Sequence, residues 1–234
     1  MSMSSTTTLV QVFVEPSKAM AAVRERSMLA LPLLLMILGN VALFVWYFQI
    51  VDFPWLQDAM LSANPAMDAS AREVARGFMS KSVMLGSTVT GIVIVVPIML
   101  LASAVYYLLF AKVVGCDIGF GKWFAFATWS AVPTLLLLPL MAMQIILSSN
   151  GQLAMEALNP VTLNQLLFHL PTANPWAGLL NAINLTSIWA TVVAVIGLRQ
   201  WTGKRLGTSI FIVLLPQLVI YGGWAIFAAT RAAA

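Results

Sequence analysis

Residues 83–147 limit what the chain can fold into more than any other stretch of the sequence. They form two long apolar runs, residues 83–111 and 123–147, on either side of a short glycine-bearing loop. An α-helix needs about 20 apolar residues to cross roughly 30 Å of hydrocarbon, and each run is that long. Because lipid offers no hydrogen-bond partner to exposed backbone, the stretch predicts a pair of membrane-spanning helices.

The composition of the whole chain supports a membrane protein. Hydrophobic residues make up 61% of the 234 residues and charged residues only 9%, too few to cover a soluble globule. The formal net charge of +4 does not indicate a nucleic-acid partner, because the basic residues lie at the ends of apolar runs and form no stripe. We therefore predict that lipid is the solvent and that the chain binds no nucleic acid.

Three further apolar runs complete the predicted architecture, an all-α polytopic integral membrane protein with five transmembrane helices. The first run ends in Trp46, Tyr47 and Phe48 and exceeds the apolar core of a cleavable signal, so we expect it to be retained. The five predicted spans are residues 28–51, 83–111, 123–147, 176–198 and 206–229.

The segments outside the spans also carry patterns. We expect residues 1–8 to be disordered and residues 230–234 to form a short tail. Residues 9–26 have apolar positions at helical spacing, which predicts an amphipathic helix in the membrane interface or, equally, a plain lead-in to the first span. Residues 69–81 predict a short surface helix, and the apolar residues within 148–175 predict a helix lying on the membrane.

The charges of the loops predict the orientation, because basic residues concentrate on the cytoplasmic side. With the N-terminus inside, eight basic residues are cytoplasmic and four lie opposite. We therefore expect a cytoplasmic N-terminus and a C-terminus on the other side. The cytoplasmic eight are Lys18, Arg24, Arg26, Lys112, Lys122, Arg199, Lys204 and Arg205, and the other four are Arg72, Arg76, Lys81 and Arg231.

Polar residues within the spans give little indication of chemistry. The apolar cores carry no charged residue, which argues against a coupled carrier. Uncharged polar side chains can line a route or join two helices by hydrogen bonds, and we favour the second interpretation. His169 and Cys116 are the only histidine and the only cysteine, so we expect no catalytic group, metal or cofactor. The polar residues in question are Asn40, Gln144, Asn181, Asn184 and Gln217.

Short motifs and the order of the spans together carry a resemblance to a known family. The motif residues are Phe13, Pro16, Gly115, Gly119, Phe120, Trp129, Pro133, Trp189 and Gly197. They resemble those of the Yip-domain family, five-span membrane proteins that in eukaryotes are partners of Ypt/Rab GTPases. The chain keeps only Pro16 of the eukaryotic entry motif, and it is similar to the bacterial-type members. The resemblance implies a single Yip-type membrane domain over residues 9–229.

These observations lead to two functional hypotheses. The first is a non-enzymatic protein of the bacterial inner membrane that organises membrane or recruits partners through its cytoplasmic loops. Its expected partners are membrane lipids, a protein on the cytoplasmic face and a second copy of itself. The alternative is a small uncoupled transporter, channel or lipid-moving protein. For the first hypothesis, the expected contact residues are Lys112, Lys122, Arg199, Lys204 and Arg205.

Overall fold

The computed structural model describes residues 4–63, 67–148 and 150–233. Helix makes up 81% of the structure, and no strand occurs in those three ranges. The α-helices are α1 (Ser5–Val14), α2 (Pro16–Glu25), α3 (Ala30–Ile50), α4 (Phe53–Ser62), α5 (Ala69–Phe78), α6 (Lys81–Val113), α7 (Phe120–Ser130), α8 (Leu137–Leu147), α9 (Ala177–Ala182), α10 (Leu185–Thr202) and α11 (Leu206–Ala232). The 3₁₀-helices Val132–Leu136 and Met155–Leu158 and the π-helix Asn164–Phe168 lie between them.

The two ends of the chain are more helical than predicted. Residues 1–3 and 234 lie outside the described residues, but α1 already begins at Ser5, so the expectation of disorder through residue 8 is wrong. Its N-cap is Ser4, whose side chain accepts a hydrogen bond from the backbone N–H of Thr7. At the other end α11 continues to Ala232, so most of the predicted tail is helical.

Four helical stretches in the described part of the chain are long and apolar enough to cross a bilayer. They are Ala30–Ile50, Lys81–Val113, Phe120–Leu147 and Leu206–Ala232, close to four of the five predicted spans. Large apolar side chains on α6 and α11 are exposed, as expected for helices that face lipid. Examples are Val95 (53% exposed), Leu109 (58%), Val219 (67%) and Ile226 (70%).

The predicted span over residues 176–198 is not continuous. Helix α9 ends at Ala182, Ile183 is extended, and α10 begins only at Leu185. The backbone here bonds outside any helix: the N–H of Leu163 donates to the carbonyl of Ile183 at 2.8 Å, and the N–H of Leu185 donates to the carbonyl of Val161 at 3.1 Å. This short antiparallel bridge satisfies groups that a continuous helix would have paired internally.

The segment between α8 and α9 differs from the predicted membrane-surface helix. Among the residues of this segment that the structure describes, only the 3₁₀-helix Met155–Leu158 and the π-helix Asn164–Phe168 form. Asn164 closes the π-helix, because its side-chain amide donates to the carbonyl of Leu170 and accepts from the N–H of Leu170. These bonds turn the chain back after one turn, with His169 in the left-handed conformation at φ 52°. Leu167 remains 67% exposed, as expected for a side chain at the lipid boundary.

The segment between α3 and α6 contains two short helices, of which the sequence predicted the second. Helix α5 matches the expected surface helix and is capped by Asp68, which accepts a hydrogen bond from the N–H of Ala71 at 2.7 Å. That bond, and a second from the hydroxyl of Ser70, hold the pKa of the Asp68 carboxyl below its ordinary value. An Arg76–Asp58 ion pair links α5 to α4.

The described residues fall into two compact units. Unit 1 comprises Met1–Leu38, Val93–Leu135 and Thr186–Ile220, and it contains α1, α2, α7 and most of α10. Its core is rich in aromatic rings contributed by α6, α7 and α10. The largest fully buried side chains there include Trp123, Phe126, Trp129 and Trp201.

Unit 2 comprises Gly39–Ile92, Leu136–Leu185 and Tyr221–Ala234. Tyr47 is 1% exposed in its core, and its hydroxyl donates to the carbonyl of Leu153 at 2.6 Å. Gly151 packs directly on the backbone after α3, since a Cβ there would lie 2.7 Å from the carbonyl oxygen of Ile50. Gly151 also has φ 71°, so the turn excludes larger residues both by contact and by conformation.

Candidate functional site

Within unit 1, a cluster of aromatic side chains holds the N-terminal helices in place. We call this the aromatic cluster; it consists of Tyr107, Trp123, Phe126, Trp129 and Trp201. The indole N–H of Trp201 donates to the carbonyl of Met20 at 2.9 Å, and the indole N–H of Trp129 donates to the carbonyl of Met28 at 2.5 Å. Both indoles are buried, so each bond forms where water cannot compete. Helix α2 is therefore held by α10, and the residues that follow α2 are held by α7.

The apolar face of residues 9–26, for which the sequence predicts either an interfacial helix or a lead-in to the first span, packs on protein. The apolar positions that would have faced lipid are covered by protein: Val12, Ala19, Met20 and Val23 are all 0% exposed. The physical reason is that the indole rings of α7 and α10 supply an apolar surface and two hydrogen-bond donors, which lipid cannot do. The basic side chains of this segment remain at the surface, with Lys18 paired to Glu15.

Gly197 on α10 packs closely against Met20 and Phe126. A Cβ at this position would lie 2.7 Å from the Cε of Met20 and 2.9 Å from the Cε2 of Phe126. Glycine thus allows α2 to approach α10 closely. The motif residue predicted from the sequence has a packing role that the structure makes explicit.

The aromatic cluster also connects the two basic loops, which are the loop between α6 and α7 and the loop between α10 and α11. The rings of Trp123 and Trp201 lie 5.4 Å apart, and Trp123 stacks on Tyr107 at 5.9 Å. Trp123 directly follows Lys122, at the start of α7, and Trp201 lies near the end of α10. The helix ends that carry the two loops are thus brought together inside one compact unit.

The loop between α6 and α7 is a tight turn. Gly115 has φ 72°, and the N–H of Cys116 donates to the carbonyl of Ala111 at 2.8 Å. Gly119 is the N-cap residue of α7, and Phe120, 40% exposed, stacks on Phe124 at 6.3 Å. The predicted contact residues at the two ends, Lys112 and Lys122, are both exposed.

The loop between α10 and α11 forms an open cleft of about 620 Å³ with the start of α2. We call this the basic cleft. Gly203, at φ 66°, makes the turn after α10, and its N–H donates to the carbonyl of Arg199 at 2.8 Å. The side chains and backbone that line the cleft include Ser17, Arg199, Gly203, Lys204, Arg205 and Leu206.

The basic cleft carries uncompensated positive charge. Arg199, Lys204 and Arg205 all line it, and none of them takes part in a salt bridge within the described ranges. The carboxylate of Glu15, which is near Ser17 in sequence, is paired with Lys18 instead. Such a concave group of cations attracts an anion.

The polar residues predicted within spans have packing roles where the structure shows their contacts. The side-chain amide of Gln217 donates to the hydroxyl of Thr191 at 2.9 Å, which joins α11 to α10. The hydroxyl of Thr162 donates to the side-chain oxygen of Asn181 at 3.4 Å, and Asn184 lies in the bridge opposite Thr162. Asn40 and Gln144 are half-buried in unit 2.

The remaining motif residues all lie in unit 1. Phe13 packs against the core, and Pro16 is the first residue of α2. Pro133 is buried in the 3₁₀-helix that follows α7, and Trp189 is 36% exposed on α10.

Sequence reasoning missed the residues that hold these elements together. Trp123 is the first residue of one predicted span and Trp201 lies just after another, positions where an indole usually marks the membrane interface, so no pattern distinguished them. The pattern of residues 9–26 predicts an amphipathic helix and gives Ser17 no separate role. The available signal was Gly197, whose place within an apolar helix indicates close packing against another element.

The sequence profile of the Yip1 domain matches residues 10–227, nearly the whole chain. No curated protein and no solved structure matches this chain. The match covers both basic loops and nearly all of the N-terminal segment that the aromatic cluster holds.

Proposed function

Because the chain belongs to the Yip1 domain family, we propose that it is a non-enzymatic membrane protein that organises membrane or recruits partners. The observation that carries this proposal is the aromatic cluster of unit 1. It holds α2, α7 and α10 together, and so presents two basic loops from one packed unit. A rigid display of exposed cations suits an acidic partner surface.

The proposed setting is a bacterial inner membrane crossed five times, with the N-terminus in the cytoplasm. Four crossings are the long apolar helices, and the fifth is α10, whose 18 residues extend about 27 Å at 1.5 Å per residue. The excess of basic residues in the loops supports the orientation.

Membrane-impermeant labelling of single introduced cysteines tests this topology. In a Cys116→Ala background, Arg205→Cys and Glu156→Cys should react from opposite sides of sealed vesicles. Arg205 lies in the loop before α11 and Glu156 in the short 3₁₀-helix between α8 and α9, and both are outside the long apolar helices, which makes them matched reporters. Labelling of both from the same side would contradict a fifth crossing at α10.

Site-specific crosslinking in native membranes tests the recruiting role. A photoreactive amino acid in place of Phe120 or Lys122 should capture a protein partner or a second copy of the chain. The control is the same group in place of Val95, which is 53% exposed on α6. Capture at the loop positions no greater than at the control would argue against recruitment through these loops.

The alternative, an uncoupled carrier or lipid-moving protein, has less support. Its polar route would use side chains such as Gln217, but that amide is already engaged with Thr191. Passage of a fluorescent lipid or solute across proteoliposomes above the rate of empty vesicles would favour this alternative.

A further inference from the structure

We propose that the basic cleft binds the phosphate group of an anionic membrane lipid. This inference rests on the proposed function, because it assigns a ligand to one of the loops that would contact partners. The juxtaposition that carries it is three cations that form no salt bridge within the described ranges, the first turn of α11, the hydroxyl of Ser17 and two apolar helix faces around one cleft.

The charge of the cleft selects an anion. Arg199 comes from the last turn of α10, and Lys204 and Arg205 come from the following turn. All three residues line one concave space, and no acidic side chain is among the lining residues. Arginine and lysine together suit phosphate, since the guanidinium makes paired hydrogen bonds and the ammonium acts as a point charge.

The backbone around the cleft adds to this preference. Helix α11 begins at Leu206, which lines the cleft. The first N–H groups of a helix have no partner within that helix and favour negative charge. The hydroxyl of Ser17 supplies one more donor of the kind that phosphate oxygens accept.

The position of the cleft along the chain places it at headgroup depth. Arg205 immediately precedes α11, one of the four helices long and apolar enough to span a bilayer. A cation next to the first residue of a span lies in the interfacial layer, where lipid phosphates are concentrated.

Apolar surface continues from the cleft along both helices. On α11, Leu206 is 50% exposed, and Ile210, one turn later, is 38% exposed. On α10, Ile196 lines the cleft, and Val192 (37% exposed) and Trp189 (36%) precede it at helical spacing. A free phosphate ester has no group to contact these residues, whereas the acyl chains of a lipid do. The structure therefore favours a lipid over a soluble anion.

The test uses the full-length, delipidated protein in detergent and native mass spectrometry. Dioctanoyl-phosphatidylglycerol, dioctanoyl-phosphatidylcholine and glycerol 3-phosphate are titrated separately. Phosphatidylglycerol should bind more tightly than either of the others. Glycerol 3-phosphate that binds as well as the lipid would overturn the lipid assignment, and equal binding of phosphatidylcholine would overturn the anion assignment.

Variants then locate the site. Arg205→Gln should weaken phosphatidylglycerol binding about fivefold, as expected for the loss of one cation at the membrane surface. Ser17→Asp, which places a negative charge in the cleft, should weaken it at least as much. The matched control is Lys122→Gln, an exposed lysine outside the cleft lining. Equal losses in Arg205→Gln and Lys122→Gln would show a general effect of charge and overturn the site.

The outcome is separable from that of the proposed function. Crosslinking at Phe120 or Lys122 that persists while phosphatidylglycerol shows no preference would overturn the cleft as a lipid site and leave partner recruitment standing. Capture of an acidic soluble protein through Arg205, without any lipid preference, would replace the lipid with a protein ligand and likewise overturn the inference.

Discussion

Replacement of Gly197 by alanine tests the docking of α2 on α10. The added Cβ would lie 2.7 Å from the Cε of Met20 and 2.9 Å from the Cε2 of Phe126, both shorter than the 3.4 Å at which ordinary van der Waals contact begins. The Met20 methyl is the end of a flexible side chain, but its Cγ would also lie at 3.1 Å. The Phe126 ring is 0% exposed and packs against Trp123 and Trp201, so it has little room to move.

Two opposing effects determine how much Gly197→Ala changes the free energy of unfolding. Overpacking in a close-packed core costs about 1–3 kcal/mol. Alanine gains about 1 kcal/mol over glycine in a helix interior, which offsets part of that cost. We therefore expect Gly197→Ala to lower the free energy of unfolding by about 0–2 kcal/mol. In a Met20→Ala background, where one of the two clashing side chains is gone, the same replacement should cost less than it does in the presence of Met20.

The measurement is equilibrium unfolding in detergent micelles, followed by tryptophan fluorescence, for the two single variants and the double variant. Gly222→Ala is the control, because no atom lies within 4 Å of a Cβ there, and it should be neutral or slightly stabilising. An equal effect of Gly197→Ala with and without Met20 would refute the assigned contact, as would an effect no different from that of Gly222→Ala.

Three further predictions concern single hydrogen bonds. Trp201→Phe leaves the carbonyl of Met20 without its indole donor in a buried place, so unfolding free energy should fall by about 1–3 kcal/mol and proteolysis within α2 should accelerate. Tyr47→Phe removes the bond to the carbonyl of Leu153 and should cost about 1–3 kcal/mol in the same unfolding assay, whereas no change would contradict a buried bond. Because the pKa of Asp68 is lowered from 3.8, the cap of α5 is present above that pH and should be lost only as the pH falls through the lowered pKa. Amide exchange of α5 that accelerates already near pH 6 would disagree.

The sequence was a good guide to the apolar helices. Long apolar runs have few alternatives in lipid, so four spans were located to within a few residues of the observed helices. The glycine-bearing turn after α6 was also predicted from the sequence, and Gly115 adopts the positive φ that such a turn requires.

The failures share a physical cause, which is tertiary contact that overrides local pattern. Residues 176–198 have the composition of a span, yet the backbone at Ile183 pairs with Leu163. Likewise, the pattern of residues 9–26 predicts an apolar face but not what covers it, and here protein does. For the candidate site, the sequence predicted Arg199, Lys204 and Arg205 as contact residues but did not predict the cleft. Ser17 lines the cleft only because α2 docks beside α10.

The bridge between Thr162 and Asn184 has a practical consequence for engineering. The stretch from α8 to α9 looks like a spacer that would accept an epitope or a fusion partner. However, it supplies the carbonyl of Val161 and the N–H of Leu163 to the gap between α9 and α10. An insertion at Val161 would break these two backbone hydrogen bonds, whereas one beside Asn150 would spare them.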